Sequence, residues 1–181
     1  MVVELISVGT ELLLGNIVNT NAQFLAEKCA SLGLSMYHQV TVGDNRERLA
    51  EDISTALKRA DIIILTGGLG PTEDDITKEV CADVMGFKLV EDPHTRERIE
   101  AYFKDGIYPV ITDNNWKQAL VPEGCKVLDN HNGTAPGLIM EKDGKTAILL
   151  PGPFNELKSL FLDEVSPCLQ KLQPEVIRSQ M

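Results

Sequence analysis

The stretch "DIIILTGGLGPTEDDITKEV", residues 61–80, decides how this chain folds. Its opening, 61–67, is apolar without alternation, the pattern of a strand covered on both faces at the centre of a parallel sheet. From about Asp75 to Met85, Ile76, Val80 and Val84 recur at i, i+4 and i+8, which predicts a helix. Between the two stand Gly67, Gly68 and Gly70, then three consecutive acids, Glu73, Asp74 and Asp75. A glycine turn running into a helix N-terminus offers backbone N–H groups to phosphate oxygens. The acids that follow would repel such a ligand, and the pattern has to account for both.

The same strand–helix alternation extends in both directions. Residues 2–8 ("VVELISV") and 34–42 ("LSMYHQVTV") read as strands. Residues 19–33 read as a helix with Ala22, Leu25, Cys29 and Leu32 on one face and Gly33 as its stop. Residues 45–60 form a second amphipathic helix, with Leu49, Ile53, Ala56 and Leu57 turned inward. The order β-α-β-α-β-α argues for a doubly wound α/β sheet with right-handed crossovers. Residues 92–120 look helical and polar. Two strands around Asp143-Gly144, within 137–152, make a hairpin and add an antiparallel portion to the sheet. Residues 154–172 form a last helix, interrupted near Pro167.

With 181 residues the chain fits one domain that buries its own core. Seventeen basic against 27 acidic residues give a net charge of −10, which makes nucleic acid an unlikely partner and argues against an anionic membrane. No segment approaches the ~18 apolar residues of a membrane span, and residues 1–13 are neither a signal peptide nor an anchor. The scattered cysteines, Cys29, Cys81, Cys125 and Cys168, read as buried free thiols of a reducing, cytoplasmic compartment.

In an open α/β sheet, ligands sit beyond the carboxyl ends of the strands, so loops 9–16, 43–45 and 67–75 share one crevice. The 67–75 loop lacks the closing Lys-Ser/Thr of a P-loop and the third glycine of a dinucleotide fingerprint. It also fits a plain helix start, with Thr72 as N-cap and Asp75 at N3. Three acids exceed what a helix dipole needs, however, and a divalent cation between carboxylates and phosphate would reconcile acids with cradle. Asp44 projects towards the same crevice or caps a helix, and Thr10, Glu11 and Asn21 surround the first loop. Asn130, Gly133 and Thr134 lie in the turn-rich "DNHNGTAPG", residues 129–137, and Glu156 follows "PGPFN". His38, His94 and His131 have no metal-ligand spacing.

The ordered segments "GTELLLGNIVNTN", "TGGLGPTEDDIT", "NGTAPG" and "PGPFNE" resemble the N-terminal domain of CinA, the competence/damage-inducible protein family, and its molybdopterin-binding relatives MoaB, MogA and gephyrin. The resemblance runs from residue 3 to about 172 and implies a three-layer α/β/α sandwich that self-associates as a homo-oligomer. It implies a domain over 1–172, with 173–181 opening a linker or tail, since family members usually continue into a deamidase-like domain. Three readings follow from it. One is metal-dependent hydrolysis of ADP-ribose, or a similar nucleoside diphosphate compound, to AMP and ribose 5-phosphate. The alternative is binding of a pterin phosphate in molybdenum cofactor handling, without hydrolysis; a second alternative is a non-catalytic competence-linked interaction module. In the relatives the last Asp after the glycine loop is critical, and that position is Asp75; a second Asp matches Asp44. For hydrolysis, Asp75, Asp44 and Glu156 would hold Mg²⁺, Mn²⁺ or Co²⁺, with Glu11 as ligand or base. Gly67, Gly68, Gly70 and Thr72 would face the phosphates, beside Thr10 and Asn21, while Asn130, Gly133 and Thr134 hold the nucleoside end. Phe154 and Asn155 depart from the family's PGxPxE.

Overall fold

The computed structural model describes residues 1–15, 17–104 and 112–172, so the expected tail at 173–181 lies outside the described residues. The chain opens with β1 (Val2–Val8), a single helical turn α1 (Thr10–Leu13) and α2 (Thr20–Ser31). Asn19 caps α2 by accepting from Ala22 N at 3.2 Å. Then come β2 (Ser35–Val42), α3 (Arg46–Arg59) with Asn45 as its N-cap, and β3 (Ile62–Thr66), buried at every position. Helix α4 covers Thr77–Met85 and ends at Gly86, whose left-handed φ of 81° stops it.

The second half adds β4 (Leu89–Glu91), α5 (Pro93–Lys104), α6 (Asp113–Trp116), a 3₁₀ turn at Lys117–Ala119 and β5 (Leu120–Pro122). It continues through β6 (Lys126–Leu128), β7 (Gly137–Lys142), β8 (Lys145–Leu150), α7 (Phe154–Leu160) and α8 (Ser166–Leu172). The six-stranded sheet runs β2-β1-β3-β8-β7-β6. β1, β2, β3 and β8 are parallel, and β7 and β6 follow as antiparallel ladders. Asp143 and Gly144, at φ 52° and 77°, make the tight β7–β8 turn.

Helices cover both faces of this sheet, which is the expected three-layer mixed α/β arrangement. On one face Leu49, Ile53 and Ala56 of α3 and Val80, Cys81 and Met85 of α4 pack against Ile6, Ile63 and Leu65. On the other, Leu25 and Cys29 of α2 and Phe161, Val165 and Leu169 meet Leu5, Ile62, Ile64 and Ile148. Glu4 of β1 is buried and receives Arg59 of α3 through Nε at 2.8 Å and Nη2 at 3.0 Å. All four cysteines are free, and burial pushes the Cys29 and Cys81 thiols up to about 12.

Three expectations change. The loop at 9–16 contains the helical turn α1. The polar, helical middle is flanked by the unexpected pair β4–β5, three residues a side and too short to announce itself by alternation. The expected interruption of the last helix near Pro167 is a π turn at Phe161–Val165 that joins α7 to α8 and not a break. The wider turn ends two residues before Pro167, which lacks an N–H donor, so the helical path continues where a regular α-helix would clash.

Phe161 is fully buried and meets Phe24 edge-on, with ring centroids 5.8 Å apart. Phe161→Ala should lower stability by about 3–5 kcal/mol, measured by urea unfolding; a loss below ~1 kcal/mol would mean the site collapses freely.

Candidate functional site

β1, β3 and β8 run in the same direction, so their carboxyl ends meet at one edge of the sheet. A cavity of about 840 Å³ opens there. Gly67 and Gly68 turn the chain away from β3 with φ of 88° and 69°, a region that side chains rarely adopt. Gly67 N donates to Leu150 O at 3.0 Å, and a Cβ on Gly67 would lie 2.5 Å from Val8 O. Only glycine lets the three strand ends come this close. Beyond the turn, the N–H groups of Gly68, Leu69 and Gly70 find no protein acceptor among the described residues, and all three residues line the cavity.

The acidic segment is a self-contained turn and not the start of α4. Thr72 donates to Asp75 Oδ2 through its backbone N at 3.0 Å and its hydroxyl at 2.7 Å. Helix α4 starts two residues later, preceded by Ile76, which makes no side-chain cap bond. The expected capping box at Thr72 and Asp75 is therefore replaced by a turn that aims Asp75 into the cavity and commits the Thr72 hydroxyl to it. Lys117 fixes this turn from behind, donating from Nζ to Thr72 O at 2.8 Å and to Asp75 O, with Glu79 Oε1 at 3.6 Å. Lys78 is buried beside it and donates to Lys117 O at 2.6 Å; burial pulls its ammonium down to about 8.

Asp44 and Glu11 reach the same cavity. Thr10 stands outside the lining and braces Asp44: its Oγ1 donates to Asp44 Oδ2 at 3.3 Å and accepts from Asp44 N at 3.2 Å. Glu11 folds back over Gly9, its Oε1 2.6 Å from where a Cβ would sit. Asn21 lines the cavity but donates its amide to Gly152 O at 2.7 Å, tying α2 to the loop after β8. Gly133 and Thr134 line the opposite side.

Asn130 stands outside the lining. It is buried, donating to Ala135 O at 2.9 Å and to Glu156 Oε1 at 2.7 Å, and accepting from Asn132 N at 3.0 Å. A side chain with those bonds shapes the 130–135 loop and holds Glu156. Burial raises the Glu156 carboxyl above its ordinary value, and the Asn130 bond offsets this only in part.

Five carboxylates thus line the cavity, from Glu11, Asp44, Asp74, Asp75 and Glu156, and no lysine, arginine or histidine does among the described residues. No three His, Cys, Asp or Glu side chains among the described residues converge as a metal cage. Charged groups that are all carboxylates, without a cage, fit a hard cation that arrives with phosphate, held by one or two of them. His94 is bound to Asp129 at 2.9 Å, and His38 lines a separate groove beside β2. Sequence reasoning missed Lys117, Gln118, Tyr102 and Phe154, all at or behind the lining. Lys117, Gln118 and Tyr102 sit in no glycine or acidic motif, and Phe154 stands in "PGPFNE" only as a departure from the family pattern.

Gly70→Ala should turn Asp75 away, because the added Cβ would lie 2.7 Å from its Oδ2. Ligand binding should fall while the thermal midpoint moves by no more than about 4 °C, equivalent to ~1 kcal/mol at this size; calorimetry reads both. Glu156 supplies a pH test. Its raised pKa means the native state keeps a proton the unfolded chain has released, so stability declines as pH rises through the folded value. Glu156→Gln should therefore gain stability over wild type at about pH 8 and lose that gain towards about pH 4, read as thermal midpoints at each pH.

The sequence profile described as "Probable molybdopterin binding domain" matches residues 4–171. The chain is 57% identical over 181 residues to a Caldicellulosiruptor bescii protein that carries the name competence-damage inducible protein, covering 100% of this chain and 44% of that one. It spans less than half the length of such curated relatives. The crystal structure of the protein CinA from Thermoplasma acidophilum, described as of unknown function, matches with a TM-score of 0.85 at 32% identity, over 92% of this chain and 96% of that one. The molybdopterin biosynthesis enzyme MoaB from Thermus thermophilus matches at 0.59 and 16% identity, over 96% and 97%. At that identity the likeness to MoaB concerns the fold alone. Among the described residues no helix is long and apolar enough to cross a membrane.

Proposed function

Because this chain belongs to the probable molybdopterin binding domain family, in its CinA branch, we propose that the cavity binds a small phosphate-bearing heterocycle of the molybdopterin type. One observation carries the reading: the N–H groups of Gly68, Leu69 and Gly70, without a protein acceptor among the described residues, belong to a loop that lines a cavity whose charged side chains are all acidic. The phosphate accepts from those amides. Asp75 and Asp44 would hold a divalent cation against it, which supplies the positive charge that the lining side chains lack. Gly133 and Thr134 flank the rest of the ligand from the far side. A homo-oligomer and a cytoplasmic site of action belong to the same proposal.

The density of carboxylates favours a second reading at the same site, hydrolysis of the diphosphate of ADP-ribose to AMP and ribose 5-phosphate. A bound Mg²⁺, Mn²⁺ or Co²⁺ supplies charge neutralisation and acidifies a water. The chain's own part is to orient the diphosphate on the glycine amides, stabilise charge developing on its oxygens and accept a proton at the Glu11 or Asp44 carboxylate.

Asp75→Asn separates charge from shape, since the amide keeps an oxygen for the Thr72 bonds. With 7,8-dihydroneopterin triphosphate as probe, wild-type protein should bind in the presence of Mg²⁺, and Asp75→Asn should weaken binding roughly thirtyfold, about 2 kcal/mol. Unchanged affinity in the variant would remove Asp75 from the site. Incubating wild type with ADP-ribose and each metal, with AMP as readout, decides the second reading: no release with any metal leaves a binding domain.

A further inference from the structure

We infer that Gln118 reads a hydrogen-bond donor on the bound molecule, an N–H or O–H group beside the glycine loop, and thereby selects among phosphate compounds. The inference rests on the cavity being a ligand site. Gln118 sits in the 3₁₀ turn Lys117–Ala119, lines the cavity and is 3% exposed. Its Nε2 donates to Leu69 O at 3.4 Å, while its Oε1 is buried with no partner among the described residues. Native structures rarely leave a buried side-chain oxygen unsatisfied, and the exceptions mark places where something else completes the bond.

The amide cannot simply be turned over. That would set Oε1 against the Leu69 carbonyl, two acceptors facing each other, so the group's unused capacity is that of an acceptor. The Leu69 bond is long, so reading a ligand donor requires only that the side chain exchange it for a rotation towards the cavity, as side chains commonly do on binding. An acceptor there does nothing for phosphate oxygens, which are acceptors themselves and already matched to the amides of Gly68, Leu69 and Gly70. It favours the part of the ligand that carries donors: the amino group of a pterin or an adenine, or a sugar hydroxyl. A molecule made of phosphates alone leaves Gln118 unsatisfied.

Gln118→Leu keeps the volume and removes the oxygen. Three probes are titrated calorimetrically with Mg²⁺ into wild type and variant: methylenediphosphonate, the α,β-methylene analogue of ADP-ribose, and 7,8-dihydroneopterin triphosphate. We expect at least about tenfold weaker binding of one or both donor-bearing probes, with methylenediphosphonate within about twofold and the thermal midpoint within about 4 °C of wild type, the lost Leu69 bond offsetting removal of an unsatisfied buried oxygen. Which organic probe weakens tells whether an adenine-ribose or a pterin donor is read. Equal weakening of all three probes would make Gln118 a brace for the glycine loop and overturn the inference, as would unchanged affinity for all. Wild type that binds none of the three refutes the binding reading, and the inference with it.

Discussion

Where parallel strands end side by side, their last backbone groups need partners and their loops need room. In this protein one hydrogen bond resolves both demands: Gly67 N–H to the carbonyl of Leu150, made in a left-handed turn that passes against Val8 O. It ties the end of β3 to β8, while the turn packs against the end of β1. The chain then leaves β3 sideways, and Gly68, Leu69 and Gly70 line the cavity. Any side chain at Gly67 would collide with the neighbouring strand, so the cavity floor depends on the absence of a methyl group.

Charge is arranged around that floor in an unusual order. The carboxylates face the cavity, and Lys117 stands behind the acidic turn and bonds its backbone carbonyls. Lys117 therefore sets the shape of the Thr72–Asp75 turn without neutralising what faces the ligand. Buried Lys78 in turn supports the Lys117 backbone. The site is thus built to present negative charge and amide donors together, a combination that suits a phosphate accompanied by a metal ion better than a bare anion.

The strands β1, β2 and β3, helices α2 and α3, and the β7–β8 hairpin were legible in the sequence because each carries its own periodicity or turn residues. β4, β5 and β6 were not, since three residues hold too little pattern to distinguish a strand from a loop. The candidate site divides in the same way. Glycines and acids that follow strand ends mark themselves, and Asp44, Asp75, Glu11 and Gly67 to Gly70 do meet in one cavity. Asn130, in an equally polar segment, proved to be a buried brace for Glu156.

What the sequence determined by itself was the alternation of strands and helices, the glycine turn at the end of a fully apolar strand and the acidic surplus beside it. These are local: they follow from side-chain spacing and from the φ angles that glycine permits. Only the tertiary structure decided that Thr72 serves Asp75 instead of capping a helix, that Lys117 holds the acidic turn across 42 residues of chain, and that Gln118 lines the cavity. Those outcomes depend on which segments the packing brings together, and burial and hydrogen-bond pairing between distant segments leave no periodic trace in either one.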